Sequence, residues 1–267
     1  MTSPDWRPRL VALDIDGTIT LTGAEEIAPA VRAAILRAVD HGAHVVLSTG
    51  RSLIGTVPIL EDLAIDGALA LCSNGAVWWD SKTKTVVKHV RFNPAEVVEQ
   101  LRGLLPGAVY GVEVTGYGNL SFGRFPEGDL WGVVREVDLA EFVAEPTARL
   151  VVRWLDRTPE EMALRLSGVE LPGVSWSLDH TVPWLTASPI GVTKGSALEE
   201  LREQLDVSAA DTLAIGDGHN DVEMLRWAAH GVAMGQAPAT VQAAADAVTG
   251  TILEDGAATA LTRYFPA

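Results

Sequence analysis

Short runs of apolar residues alternate with helical patterns over residues 1–81. Three of these runs are continuous, at Leu10–Leu13, Ala43–Leu47 and Ala68–Leu71. The segment Pro29–Asp40 repeats its apolar residues at the spacing of one helical face, and Pro29 and Gly42 are typical of a helix start and a helix end. Continuous apolar strands separated by helices predict a parallel β-sheet that is covered by helices on both faces.

The same alternation returns over residues 190–267. Three short segments have the composition of strands: Thr212–Ile215, Gly231–Met234 and Ala247–Val248. Helices are predicted at Asp221–Ala229, Pro238–Ala245 and Ala257–Tyr264, and one more opens at Lys194. Because both ends of the chain show this alternation, we expect them to build one Rossmann-like α/β core domain from residues 1–81 and 190–267.

Residues 82–189 follow a different pattern. Helices are predicted at Pro94–Leu105 and Pro159–Leu166, and strands at Val109–Thr115, Leu120–Phe122 and Leu150–Leu155, with a closing hairpin at Trp176–Leu178 and Val182–Thr186. Helices mixed with antiparallel strands are typical of an α+β unit. We therefore expect residues 82–189 to form a second domain that is inserted into the first.

Composition and charge exclude several classes of partner. The chain has 267 residues, of which 48% are hydrophobic and 21% charged, so it can bury a substantial core. Its net charge is −15, from 35 acidic and 20 basic residues, which argues against nucleic acid or an anionic membrane as the main partner. An anionic substrate would therefore need positive charge concentrated at its site.

The location expected from the sequence is the cytoplasm. Cys72 is the single cysteine, which excludes an intrachain disulfide and fits a reducing compartment. The segment Met1–Arg9 has no apolar stretch and does not resemble a signal peptide. No apolar run approaches the roughly 18 residues that a membrane span requires. The sequence carries no indication of the oligomeric state.

Two carboxylates, Asp14 and Asp16, directly follow the first apolar run. Unpaired charge at the end of a buried strand is costly, so we expect a compensating partner, namely a divalent cation with a phosphate beside it. Asp14 is a candidate nucleophile towards phosphorus and a metal ligand, and Asp16 a candidate general acid and base. Gly17 permits a tight turn that would aim backbone N–H groups at a phosphoryl oxygen. The alternative is an ordinary strand end followed by a helix cap.

Three further polar clusters lie where the ends of parallel strands or the start of a helix are predicted. Thr49, Gly50 and Arg51 follow the second run and would form a phosphate cradle, or only a helix N-cap. Lys194 opens a helix, where the helix dipole disfavours a cation, and this mild conflict hints at a functional role. The alternative is a solvated lysine, which is usual at a helix start. Asn74 follows the third run and is either part of a hairpin turn or a residue of the site.

The last cluster is Gly216–Asp221, directly after a predicted strand. It holds Asp217, Asn220 and Asp221 in a loop that its glycines allow to be compact. Oxygen ligands of this kind suit a hard cation such as Mg²⁺. The alternative is a turn followed by a helix N-cap.

Taken together, the clusters resemble the motifs of the haloacid dehalogenase superfamily, in its Cof-type branch of sugar-phosphatase-like proteins. The segment Asp14–Thr18 resembles the first motif of this family, Thr49 the second, Lys194 the third and Gly216–Leu225 the fourth. The insertion lies between the second and third motifs, as a type-IIB cap domain does. A second aspartate at Asp16 separates the chain from the true dehalogenases.

The resemblance implies a Mg²⁺-dependent phosphatase that acts on a small phosphorylated metabolite through an aspartyl-phosphate. It implies that Asp14 is the nucleophile, and that Asp16 protonates the leaving group and then activates water. It further implies that Mg²⁺ is held by Asp14, the Asp16 backbone carbonyl and Asp217, with Asp221 as an outer carboxylate or an orienter of ligand water. We expect neighbouring carboxylates to crowd Asp16 and to favour its protonated form.

The resemblance also assigns the binding of the phosphoryl group. Thr49, the Gly50 amide and Asn220 would bind its oxygens, Lys194 would neutralise its charge, and Arg51 would add positive charge nearby. Two other functions stay open, a phosphomutase or phosphotransferase and a non-catalytic sugar-phosphate-binding protein. The complete set of motif residues argues against the second of these.

Overall fold

The computed structural model describes residues 6–266. Residues 1–5 of the predicted non-signal segment Met1–Arg9 lie outside this range. The strands are β1 (Leu10–Leu13), β2 (His44–Ser48), β3 (Leu69–Cys72), β4 (Val77–Asp80), β5 (Thr85–His89), β6 (Val109–Val114), β7 (Gly118–Phe122), β8 (Val133–Glu136), β9 (Leu150–Arg153), β10 (Val174–Leu178), β11 (Trp184–Pro189), β12 (Thr212–Gly216), β13 (His230–Ala233) and β14 (Ala247–Val248). The helices are α1 (Pro29–Asp40), α2 (Leu53–Leu63), α3 (Ala95–Leu104), α4 (Leu139–Phe142), α5 (Pro159–Arg165), α6 (Lys194–Gln204), α7 (Val222–Trp227), α8 (Ala239–Gln242) and α9 (Gly256–Tyr264).

The larger sheet, which we call the core sheet, has the order β14-β13-β12-β1-β2-β3-β4-β5. Its strands are parallel from β14 to β3, as predicted, whereas β4 and β5 are antiparallel and close one edge. Side chains of β1 alternate between the two faces. Val11 and Leu13 pack in the cluster that includes α1 and α9, and Leu10 and Ala12 pack in the cluster that includes α6 and α7. The core sheet is therefore buried by helices on both faces, which confirms the predicted fold class.

The smaller sheet, which we call the cap sheet, has the order β10-β11-β9-β6-β7-β8. All its strand pairs are antiparallel except β7 with β8. One face buries Leu150 and Val152 of β9 in the cluster that includes Val97 of α3 and Met162 of α5. This face holds the apolar core of the inserted segment, so the opposite face is available to other groups.

The boundary between the two sheets differs from the expected one at residue 82. β5 (Thr85–His89) pairs with β4 in the core sheet, because a turn returns the chain along β4 before it crosses to the cap sheet. The Asp80 carboxylate stabilises this turn by accepting a hydrogen bond of 2.8 Å from the Lys82 N–H. All strands of the cap sheet therefore lie after His89, and β11, the last of them along the chain, ends at Pro189. The division into two domains stays a prediction.

Elements that the hydrophobic pattern does not predict include α2, β5, β8 and α4. Helix α2 holds Gly55 and Pro58, residues that usually argue against a helix. A Cβ atom at Gly55 would lie 2.7 Å from the Trp131 ring, so this glycine allows the cap segment to approach the helix. Across residues 6–266, no helix has the length and apolar character that crossing a bilayer demands.

Candidate active site

Polar residues from distant parts of the chain converge at one edge of the core sheet. Strands β12, β1, β2 and β3 are neighbours and run parallel. Asp14 follows β1, Thr49 follows β2, and Asp217 follows β12. Because the carboxyl ends of parallel strands share an edge, these side chains are brought to the same region, where ligands of α/β proteins bind.

The Lys194 ammonium lies between two buried carboxylates. Its Nζ donates to Asp14 Oδ1 at 2.6 Å and to Asp221 Oδ1 at 2.5 Å. Lys194 is the first residue of α6, which the Thr193 hydroxyl caps by accepting a hydrogen bond from the Ser196 N–H. Burial disfavours the charged lysine, but the two carboxylates outweigh this effect and raise the pKa of Lys194 above its usual value. They also offset the unfavourable helix dipole.

Three carboxylates share this single lysine. Oxygen atoms of Asp14, Asp217 and Asp221 all lie within 4.8 Å of one another. Burial, and then the charge of Asp221, raise the pKa of Asp14 well above its usual range. The same two causes raise the pKa of Asp217 to about 7. The three carboxylates thus outnumber the one ammonium and offer only oxygen ligands, which fits a hard divalent cation.

Asp221 organises the loop that presents Asp217. Its Oδ2 accepts hydrogen bonds from the Asp217 N–H at 2.9 Å and the Gly218 N–H at 2.8 Å, while its Oδ1 accepts from Lys194. The 3₁₀ turn His219–Asp221 returns this side chain to the start of the loop, where it is fully buried. Both carboxylate oxygens are engaged, so the geometry favours the outer position over direct metal ligation. The metal role of Asp221 stays a prediction.

Asp16 lies outside this carboxylate cluster and is bound by Arg51. The guanidinium donates from Nη2 to Oδ1 at 2.7 Å and from Nε to Oδ2 at 2.8 Å, and the Gly23 N–H also donates to Oδ1. We expected carboxylates to crowd Asp16, but its immediate neighbour is this cation. Arg51 also donates to the Gly55 and Ala24 carbonyls. The geometry therefore favours Arg51 as a partner of Asp16 over the phosphate ligand that we predicted.

Four predicted phosphate-site residues lie close together. The Asn220 side-chain amide donates to Asn74 Oδ1 at 3.0 Å, and a Cβ atom at Gly50 would lie within 3.3 Å of both groups. Thr49 is buried, and its hydroxyl accepts a hydrogen bond from the Arg51 N–H. Gly50 and Asn220 line the cavity described below. Asn74 adopts a left-handed φ of 56° in the turn between β3 and β4. Its role in the site stays a prediction.

Gln236 belongs to this site and was not predicted. Its side-chain amide donates to the Gly17 carbonyl at 2.5 Å and to Asp217 Oδ2 at 3.3 Å, linking the loops after β1 and β12. Gln236 follows β13, the next strand of the parallel sheet. The rule that ligands bind at the carboxyl ends of parallel strands would therefore also have predicted Gln236.

A cavity of about 490 Å³ separates the carboxylates from the cap sheet. Asp14, Asp16 and Asp217 line it on one side, and Trp131, Arg149 and Trp184 are among the residues that line it on the other. The volume suits a small organic molecule. The three cap residues on this wall belong to no sequence motif. One of them, Trp131, contacts the core, because the Arg51 guanidinium lies 5.0 Å from the centre of its ring.

Glu113 connects the cap sheet to the core beside this cavity. It lies on β6 and is 6% exposed. Its Oε2 accepts from the Ser73 hydroxyl at 2.5 Å, and its Oε1 accepts from the Leu53 N–H at the start of α2. Burial raises the pKa of Glu113, although these donors and Arg149 act in the opposite direction. No pattern in the sequence distinguishes this glutamate from the exposed ones.

Comparisons with known proteins agree with this arrangement. A family model of haloacid dehalogenase-like hydrolases matches residues 11–106 and 182–261. The chain is 28% identical over 260 residues to 5-amino-6-(5-phospho-D-ribitylamino)uracil phosphatase YcsE of Bacillus subtilis, which covers 96% of this chain and 95% of that protein. It is 30% identical over 253 residues to a phosphoglycolate phosphatase of Natronomonas pharaonis, covering 95% and 96%. The solved structure of the HAD subclass IIB sugar phosphatase BT4131 shares the fold, with a TM-score of 0.80 and 24% identity over 96% of this chain and 98% of that one.

Proposed function

The chain belongs to the haloacid dehalogenase-like hydrolases and is a phosphatase, and we propose that it uses Mg²⁺ and an aspartyl-phosphate intermediate to hydrolyse a sugar phosphate or a similar small metabolite. One observation carries this proposal. Asp14 lies buried at the end of β1, bound to Lys194 and grouped with Asp217, at the wall of a cavity of metabolite size.

The first step is attack on phosphorus by a carboxylate oxygen of Asp14. The new O–P bond forms as the bond to the leaving oxygen breaks, which leaves a phosphoryl group on Asp14. Asp14 and Asp217 would hold Mg²⁺, which when bound supplies charge that reduces the repulsion between carboxylate and phosphate. Lys194 holds Asp14 in position, and Asn220 and the Gly50 amide, which line the same cavity, would donate to the phosphoryl oxygens.

Asp16 carries the proton in both steps of this scheme. To act as the acid, it must carry a proton on an oxygen that is released from Arg51 or from the Gly23 N–H. It gives this proton to the departing alkoxide and then accepts one from the water that attacks the aspartyl-phosphate, which releases phosphate and restores Asp14. Two hydrogen bonds from the Arg51 guanidinium and one from the Gly23 N–H orient the Asp16 carboxylate, which lines the cavity. Arg51 therefore acts on the reaction through the position of Asp16.

The test is release of inorganic phosphate from p-nitrophenyl phosphate and from a panel of phosphorylated sugars, with Mg²⁺ and with EDTA. We expect Asp14→Asn to lose at least about 10⁴-fold in kcat while remaining folded. Asp16→Asn should lose about 10²–10⁴-fold. Exposed Asp66 provides the matched control, because Asp66→Asn should leave the rate unchanged. Near-normal activity of folded Asp14→Asn would show that the nucleophile is another group.

The same assay separates the alternatives. A phosphomutase or phosphotransferase shares the attack by Asp14 but returns the phosphoryl group to an organic acceptor, so it would release little phosphate without that acceptor. A non-catalytic binding protein would bind sugar phosphates and turn over none of them. Steady phosphate release into water supports the phosphatase and contradicts both.

A further inference from the structure

Two arginines lie on the cavity side of the cap sheet. Arg149 directly precedes β9, and Arg153 ends it. Because side chains of a strand alternate between its faces, residues 149 and 153 share a face that opposes Leu150 and Val152. These two apolar residues pack on the cap helices. Both arginines line the same cavity as Asp14, so they face the region that the leaving group of a substrate would occupy.

Arg149 is a buried cation without a hydrogen-bond partner for its Nε in the described chain. The residue is 8% exposed. Glu113 lies near enough to act on it electrostatically, but both Glu113 oxygens already accept from Ser73 and Leu53. Burial lowers the pKa of Arg149, although Glu113 and Asp16 act in the opposite direction. A buried guanidinium with an unused donor is costly unless a ligand satisfies it.

Arg153 is partly satisfied. Its Nε lies 3.4 Å from Asp129 Oδ2 but makes no hydrogen bond to it, and its Nη1 also lacks a partner within residues 6–266. The other carboxylate on this wall, Asp179, accepts from the backbone and hydroxyl of Thr181 and from the Val182 N–H. These three bonds all reach Asp179 Oδ1, and within residues 6–266 Asp179 makes no ion pair with either arginine. The arginines therefore retain donors for an anionic ligand.

We propose that Arg149 and Arg153 bind a second anionic group on the leaving group of the substrate. The preferred substrates are then phosphate monoesters that also carry a carboxylate or a second phosphate. This inference rests on the proposed function, because it places the first phosphate at Asp14. Guanidinium groups bind carboxylate and phosphate with the same paired geometry, so the chemistry that both ligands share is what the site recognises.

Matched pairs of substrates test this proposal. 6-Phosphogluconate and sorbitol 6-phosphate differ in a carboxylate, and fructose 1,6-bisphosphate and fructose 6-phosphate differ in a second phosphate. In at least one pair, we expect wild-type kcat/KM to be higher for the member with the additional anionic group, and the pair affected identifies that group. Arg149→Met should reduce this preference by about 10- to 100-fold. Arg153→Met should reduce it in the same direction and serves if the first variant does not fold.

Arg135→Met is the matched control. Arg135 lies on β8 of the same sheet and is ion-paired with Glu141 at the surface, so its loss should leave the preference unchanged. A wild type that prefers the members without the additional anionic group, or arginine variants that lower kcat/KM equally for both members of a pair, would overturn the anion site alone. Release of phosphate from none of these substrates or from p-nitrophenyl phosphate would overturn the proposed function, and the anion site with it.

Discussion

Replacing Asp217 with asparagine should stabilise the metal-free protein at neutral and higher pH. The Asp217 side chain lies in a cluster with two other carboxylates, and burial and Asp221 raise its pKa to about 7. Its usual pKa is 3.8, and one pKa unit corresponds to about 1.4 kcal/mol. The ionised carboxylate therefore costs the folded state at most roughly 4 kcal/mol. Asparagine removes this charge and can still accept the hydrogen bond from Gln236.

The pH dependence of the stability follows from the same rise in the pKa of Asp217. Between about pH 4 and about pH 7, folded Asp217 retains a proton that the unfolded chain has lost. The stability of the metal-free wild type should therefore fall as the pH rises through this window and then level off. Asp14, whose pKa is raised by burial and by Asp221, acts in the same direction. The stability of metal-free Asp217→Asn should therefore fall less than that of the wild type over this pH range.

Mg²⁺ should stabilise the wild type more than it stabilises Asp217→Asn. At a concentration of about 100 times its Kd, a ligand of the folded state adds about 2.7 kcal/mol. For a chain of this size that raises Tm by roughly 5–11 °C. The variant lacks one carboxylate of the site and should gain much less. The assay is thermal unfolding followed by circular dichroism, in EDTA and in Mg²⁺, at about pH 5 and about pH 8.

Asp66→Asn is the control, because Asp66 is exposed and lies outside the cluster. It should change the stability by no more than about 0.5 kcal/mol and leave the Mg²⁺ effect intact. Two results would refute the reasoning: Asp217→Asn less stable than wild type in EDTA at about pH 8, or an equal rise of Tm with Mg²⁺ in both proteins.

Three further predictions concern the surroundings of the site. Gly17→Ala should abolish the rise of Tm with Mg²⁺, because φ is +75° and a Cβ atom would lie 2.2 Å from Asp217 Oδ2. Gly42→Ala has a similar φ of +82° but open space, so it should cost only about 1–2 kcal/mol and keep the Mg²⁺ effect. Glu113→Ala should cost about 2–4 kcal/mol in urea unfolding, because it leaves two buried donors on the core unpaired. Cys72, whose pKa burial raises to about 12, should react with a thiol reagent only after unfolding.

Each of these has a contradicting outcome. An unchanged Mg²⁺ response in Gly17→Ala would mean that Asp217 is not the group that Mg²⁺ contacts. Exposed Glu141 gives the comparison for Glu113, since Glu141→Ala should cost less than about 1 kcal/mol, and equal losses would remove the special role of Glu113. Rapid labelling of Cys72 in the folded protein would show that β3 opens to solvent.

The core was readable from the sequence because its strands are buried on both faces. A continuous apolar run such as Leu10–Leu13 is favourable only in a strand that is buried on both faces. The observed β1 has these bounds. Pro29–Asp40 was also predicted with its observed ends, since a proline and a following glycine mark them. Helix α2 was missed because Gly55 and Pro58 contradict helix propensity, and only contact with Trp131 explains the glycine.

Within the site, the sequence predicted the residues that directly follow strands. Asp14 and Asp217 carry charge directly after apolar runs, and their nearness follows from parallel strand order. The partner of Asp16 could not be read in this way. Arg51 was expected beside a phosphate, but its long side chain can reach several groups, and packing decided that it binds the carboxylate.

The sequence by itself determined the class of fold, the edge of the sheet where the candidate site lies and the acidic and basic groups gathered there. These follow from local burial and from the rule that parallel strands end together. The tertiary structure alone decided which groups pair and what faces the carboxylates across the cavity. Arg149 and Glu113 have unremarkable neighbours in sequence, and their environment arises from packing between a cap strand and the core. Contacts between segments this far apart in the chain depend on the whole fold, so no local pattern records them.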